Sequence, residues 1–162
     1  MVLIEDSRQQ IGKHKNIKFY CEQQGIKIIR SKLVVGDYML SGSSIPIVDG
    51  KPYVVCADTK MDVGELANCC FQSHDRFRRE LIRAQECGIK LVILTEEILP
   101  GGRLDNWKSP LDRNGNPKHK FDPVILRKAM ITMQEKYGCL FRFCDGRSTG
   151  KVLMAYLKGE LR

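Results

Sequence analysis

PYVVCADTKMDVGEL, residues 52–66, carries an apolar run straight into two opposite charges, Asp58 and Lys60. Val54, Val55, Cys56 and Ala57 read as a strand buried on both faces. Residues i and i+2 of a strand share a face, so Asp58 and Lys60 stand side by side while Thr59 points away. An acid and a base at the end of a rigid strand suit a divalent cation and a reacting group held in one place. Mg²⁺ takes few carboxylates and keeps several waters, and a nearby lysine orients a nucleophilic water or steadies developing negative charge. A surface ion pair explains the same two residues. The acid-x-Lys spacing occurs again at Asp49-Gly50-Lys51, but there it falls on a tight-turn signal where nothing holds the side chains on a common face.

Working outward, residues 2–5 form a first strand, and the spacing of Ile11, Ile17, Phe19, Tyr20 and Cys21 predicts a helix over 9–24 closed by Gly25. Two β-rich runs, 26–35 and 37–40, flank Gly36, and Asp49-Gly50 predicts a hairpin. Downstream, Leu66, Cys70, Phe77, Leu81 and Ala84 predict one long helix over 62–87, closed by Gly88. Residues 89–96 are a strand buried on both faces, and 98–121, rich in Gly, Pro, Asn and Lys, form a long basic loop. Asp122-Pro123 opens a helix to Tyr137, residues 139–144 are a strand, and Ser148 or Thr149 caps a last helix. This order predicts a single α/β domain over residues 1–162, with a mixed central β-sheet and helices on both faces.

The 27 Lys and Arg exceed the 19 Asp and Glu, giving +8, a balance that suits a polyanionic partner such as nucleic acid. The 7 cysteines are scattered with no C-x-x-C pair, which predicts free, mostly buried thiols rather than a zinc site or a disulfide framework. The N-terminus turns charged after four residues, and no apolar run approaches the ~20 residues of a membrane span, so a cytoplasmic protein is expected. DGRSTGK, residues 145–151, lacks the spacing of a phosphate-binding loop, which argues against a small-molecule phosphate binder.

A second acid, Asp37, follows Gly36 between the β runs and is placed to fold toward Asp58; two converging carboxylates repel unless a cation sits between them. Asp6, with Ser7 and Arg8, is either a third acid at a strand end or a helix cap. In SHDRFRRELIRAQE, residues 73–86, Arg76, Arg79 and Arg83 share one helix face, which suits phosphate contacts or a solvated surface. Arg103, Lys108, Arg113, Lys118, His119 and Lys120 surround the single Trp107, which either stacks on a base or tucks into the core. His74 reads as a helix-surface residue, and His14, inside KHK, as one that meets phosphate or solvent.

The series LIEDSR, VVGDYML, ADTK and HDRFRREL resembles the nuclease domain of the ERCC4-type (XPF-like) structure-specific endonucleases, within the restriction-endonuclease-like PD-(D/E)XK fold. That family's pattern is D-x-R after the first strand, then G-D-Y, then E-R-K-x-x-x-D, then R-L/F-x-x-Q on the long helix. Asp6 and Arg8 match the first element, Gly36, Asp37 and Tyr38 the second, Asp58 and Lys60 the third; Arg76, Phe77 and Glu80 match the fourth less strictly. The likeness is strongest over residues 2–95. It implies Mg²⁺ or Mn²⁺ held by Asp37 and Asp58 with Glu65, catalytic roles for Asp37, Asp58, Lys60 and Asp6, and nucleic-acid contacts from Arg8, Arg76, Arg79, Arg83, Lys118 and Lys120. Asp58 stands where the family has Glu, Thr59 where it has Arg, and Gly64 where it has the final Asp. No helix-hairpin-helix signature is present. The expected function is a metal-dependent, structure-selective DNA endonuclease of repair or recombination in a prokaryote or phage, working as a homodimer or with a separate targeting subunit. The alternative is a non-catalytic DNA-binding or assembly subunit.

Overall fold

The computed structural model describes residues 1–41, 47–48, 51–52 and 54–161. Eight strands and five α-helices follow in the order β1 (Val2–Asp6), α1 (Lys15–Gln23), β2 (Lys27–Ser31), β3 (Tyr38–Ser41), β4 (Ile47–Val48), β5 (Lys51–Pro52), β6 (Val54–Lys60), α2 (Val63–Phe71), α3 (His74–Glu86), β7 (Ile89–Thr95), α4 (Pro123–Tyr137), β8 (Leu140–Phe143) and α5 (Thr149–Leu157) among these residues. The expected Asp49-Gly50 turn lies outside the described residues; β4 and β5 on either side of it pair antiparallel. Among the described residues no helix is long and apolar enough to cross a membrane.

Six strands form a mixed sheet in the order β2-β1-β3-β6-β7-β8. β1 runs parallel to β2, β6 to β7 and β7 to β8, while β3 is antiparallel to both of its neighbours. β1 and β6 therefore point the same way, and their C-terminal ends lie beside the start of β3. Asp6, Asp37, Asp58 and Lys60 thus all come to one edge of the sheet, the edge where open α/β sheets bind ligands.

The alternation along the strands sorts the core into two layers. Val55, Ala57, Val92 and Leu94 pack with Ile17 and Cys21 of α1 and Leu153, Met154 and Leu157 of α5. Cys56, Leu91 and Ile93 pack on the opposite side with Leu66 and Cys70 of α2, Phe77 and Leu81 of α3, and Leu126 and Met130 of α4. The helices do cover both faces. The α4 boundaries follow their sequence signals: Asp122 accepts from Val124 N at 2.8 Å, proline sits in the first turn, and Gly138 closes the helix in the left-handed conformation.

Three expectations are corrected. The helix expected over 62–87 is two, broken at Gln72 and Ser73, with Ser73 N returning to Asn68 O at 2.9 Å. One helix over that span would run roughly 40 Å, well past the ~23 Å of a seven-residue strand, and the break lets both halves lay their apolar faces on the same sheet. The first helix starts only at Lys15; residues 7–14 are largely turns that carry His14 inward. The 98–121 segment is anchored rather than open: it holds two 3₁₀ turns, and Trp107 is buried, donating to Glu97 Oε1 at 2.6 Å and stacked on Phe121. The cysteines are free, with Cys21, Cys56, Cys69, Cys70 and Cys139 buried, Cys144 partly buried and Cys87 exposed.

Candidate active site

The site is built on the backbone of Asp37. Gly36 precedes it with φ +71°, and a Cβ there would meet Ala57 O at 2.8 Å, so both conformation and space favour glycine. This close approach lets Asp37 N donate to Ala57 O at 2.7 Å while Asp37 O accepts from Asp6 N at 2.7 Å, pinning the residue between β6 and β1. Its side chain is held as firmly: Oδ2 accepts from Thr59 N at 2.8 Å and from Thr59 Oγ1 at 2.7 Å. Among the described residues none hydrogen-bonds Asp37 Oδ1.

Asp58 and Lys60 share the face of β6 toward α2 and α3, and both are buried, 5% and 8% exposed, which removes the surface ion-pair reading. Lys60 Nζ lies 2.8 Å from each oxygen of Asp58 and hydrogen-bonds Oδ1. Oδ2 is buried without a hydrogen-bond partner. Lys60 Nζ also sits 5.9 Å over the Phe77 ring. Burial alone would lower the lysine's pKa, but the Asp58 charge and hydrogen bond hold it above its ordinary value, so the ammonium stays protonated. Asp37 is pushed up to about 7, first by burial and then by the Asp58 charge.

A third acid, Glu80 of α3, joins the cleft. Its Oε1 accepts from Gly36 N at 2.9 Å, and burial followed by the Asp58 charge raises its pKa. Its signal in the sequence was its place four residues after Arg76, on the face that already carries Arg76, Arg79 and Arg83. Those arginines, with Arg8, Asp6, Asp37 and Glu80, line one cleft of about 560 Å³.

Asp6 neither caps a helix nor faces a cation with a free oxygen. Its Oδ1 accepts from Arg8 N and Nε, and its Oδ2 from Arg8 Nη2 and Leu33 N, at 2.7 to 2.9 Å. The Arg8 hydrogen bond holds the Asp6 carboxyl down at about 2 against its burial. Asp6 thus aims Arg8 along the cleft wall. Glu65 lies elsewhere: Oε1 takes Lys13 Nζ at 2.6 Å and Oε2 takes Met61 N at 2.7 Å, while Asp62, the N-cap of α2, accepts from Glu65 N. Glu65, Lys118 and Lys120 line a second cavity of about 650 Å³ with Phe71 and Phe121, separate from the arginine cleft. Gly64 is where the His119 ring packs, so any side chain there would collide with it. His14 is buried, contrary to its expected meeting with phosphate or solvent.

Among the described residues no group of three or more His, Cys, Asp or Glu side chains is gathered tightly enough to hold a metal ion by itself. The residues nevertheless fit an Mg²⁺-like cation, which uses one or two carboxylates and completes its shell with water and substrate phosphate. Asp37 Oδ1 takes no hydrogen bond from the described residues, and Asp58 Oδ2 has the Lys60 ammonium at 2.8 Å but no hydrogen bond; the two carboxylates repel each other.

The chain belongs to the ERCC4 domain family, which it matches over residues 5–156, and that family is one of nucleases. Two solved structures share its fold. XPF from Aeropyrum pernix superposes with a TM-score of 0.63 at 20% identity over 100% of this chain, and the same protein in complex with DNA with 0.61 at 19% over 98%. The chain spans 66% and 64% of those two chains. No curated protein matches it in sequence.

Proposed function

We propose that the protein is a metal-dependent endonuclease that hydrolyses DNA phosphodiester bonds and selects its substrate by DNA structure. The observation that carries this reading is the pair of repelling carboxylates, Asp37 on the wall of an arginine-lined cleft and Asp58 paired with a buried protonated lysine. Asp37 and Asp58 would hold Mg²⁺ or Mn²⁺, with Glu80 facing the same site. The cation supplies neutralising charge to the scissile phosphate and to the leaving oxygen. Lys60 is a hydrogen-bond donor rather than a base, because Asp58 keeps it charged; it orients the attacking water or steadies the charge building on the phosphate. Arg8, Arg76, Arg79 and Arg83 bind flanking phosphates, and Asp6 fixes the direction of Arg8. DNA as the ligand is consistent with the relative that was solved with it. Choice among DNA structures is assigned to a second copy or a separate targeting subunit.

The test is cleavage of labelled duplex, single-stranded, flap and fork DNA with Mg²⁺ or Mn²⁺ by wild type, Asp58→Asn and Lys60→Ala. Metal-dependent cutting that falls by at least about 100-fold in both variants is expected. Salt-sensitive DNA binding without any cutting would move the assignment to a DNA-binding or assembly subunit.

A further inference from the structure

Behind the cleft, on the other face of β6, runs a buried polar line that ends on Asp37. Thr59 is 1% exposed and borders a core layer of Leu3, Ala57, Val92 and Leu94. Its hydroxyl lies 2.7 Å from Asp37 Oδ2, 2.8 Å from His14 Nε2 and 3.2 Å from Gln9 Nε2. His14, its side chain 0% exposed, continues through Nδ1 to Glu96 Oε1 at 2.8 Å, and the Glu96 side chain is 7% exposed. Glu96 follows β7, and its own N–H donates to Lys60 O at 2.9 Å, so the far end of the line is fastened to the strand that carries the site.

The hydrogen-bond inventory gives the line a direction. A threonine hydroxyl has one proton and two lone pairs. Its proton goes to Asp37 Oδ2 and the Gln9 side-chain amide donates to it, while His14 bridges the same hydroxyl to the Glu96 carboxylate through its two ring nitrogens. Thr59 N donates to the same oxygen of Asp37. Two donors on Oδ2 fix the carboxylate's rotation and leave Oδ1 without a hydrogen bond from the described residues, beside the cleft that Asp37 lines. Stability alone does not explain this construction, because replacing buried hydrogen-bonded partners by well-packed apolar groups of the same shape is often nearly neutral.

We propose that His14 and Glu96 are positioning residues of the cation site, acting through the Thr59 hydroxyl to hold Asp37 Oδ1 toward the cleft. The inference rests on the cation-binding reading above. Partners that orient a ligand without touching the metal typically change metal affinity by about 10- to 100-fold.

Mn²⁺ affinity, measured without DNA by calorimetry or by the free-ion EPR signal, tests the line directly, with thermal melts confirming that each variant is folded. Thr59→Val is expected to weaken Mn²⁺ binding by about 10- to 100-fold and to lower kcat while leaving KM for DNA unchanged, since the arginine cleft is intact. Thr59→Ser, which keeps the hydroxyl, restores wild-type affinity. His14→Phe weakens binding in the wild type and adds nothing on the Thr59→Val background. A folded Thr59→Val with wild-type Mn²⁺ affinity overturns the proposal, as does a His14→Phe loss that is just as large when the hydroxyl is already gone. A wild type that binds no Mn²⁺ and cuts no DNA removes the metal reading itself, and this inference with it.

Discussion

Asp37 is a residue whose ionisation opposes folding. Burial and the Asp58 charge raise its pKa from 3.8 to about 7, so between those values the folded protein holds a proton that the unfolded chain releases. Stability associated with this group is therefore complete below about pH 4 and declines as pH rises to about 7. Asp37→Asn mimics the protonated carboxyl and keeps an acceptor for Thr59. In metal-free protein it should nearly match wild type at pH 4 and exceed it at pH 8 by an amount on the order of a few kcal/mol. Urea unfolding at the two pH values checks this; a variant no more stable at pH 8 would remove the repulsion between the two acids from the account. Asp6 has the opposite sign. Its carboxyl, held at about 2 by Arg8, contributes stability that is lost as pH falls from 3.8 toward 2. The parity of β6 was enough to put Asp58 and Lys60 together. The partner of Thr59 was not legible, because His14 lies 45 residues away in a stretch whose apolar spacing imitates a helix.

At the scale of elements, α3 divides its duties by face. Phe77, Leu81 and Ala84 enter the core, while Arg76, Arg79 and Arg83 remain exposed along the cleft. Arg78 turns away and hydrogen-bonds the Tyr137 hydroxyl at 3.1 Å. Replacing Arg76, Arg79 and Arg83 by alanine should therefore weaken DNA binding far more than replacing Arg78. Each arginine that contacts a duplex phosphate should also reduce the log–log salt slope by about 0.9. Titrations of labelled duplex at several salt concentrations provide the comparison, and an unchanged slope in the triple variant would place the DNA elsewhere. The face assignment came directly from the spacing of the arginines. The division of α2 from α3 did not, because the apolar periodicity continues across Gln72 and Ser73, and only the length of the sheet beneath demands a break.

For the whole molecule, a cation held as proposed would couple elements that the chain keeps far apart: Asp37 before β3, Asp58 in β6, and the carboxylate of Glu80 in α3. A ligand that binds only the folded arrangement stabilises it by mass action. Mn²⁺ at about 100 times its dissociation constant adds roughly 2.7 kcal/mol, a rise in Tm of about 5–10 °C for a domain of this size. The rise should disappear in Asp58→Asn. Calorimetry or a dye-monitored melt with and without Mn²⁺ reads it, and a wild type whose Tm does not move would count against the cation site.

Alternation and helical spacing by themselves determined the α/β class, the two-sided covering of the sheet, the shared face of Asp58 and Lys60 and the arginine stripe, because these depend on local periods of 2 and 3.6 residues. The motif series also pointed to the ERCC4 domain family. Only the tertiary structure decided how the oxygens of each acid are engaged. Asp6 spends both of its oxygens on Arg8 and Leu33, Glu65 spends its own on Lys13 and Met61, and Asp58 Oδ2 is left without a hydrogen bond. A carboxylate's role depends on which donors reach it, and those come from residues that are distant in the chain and adjacent only after the sheet has formed.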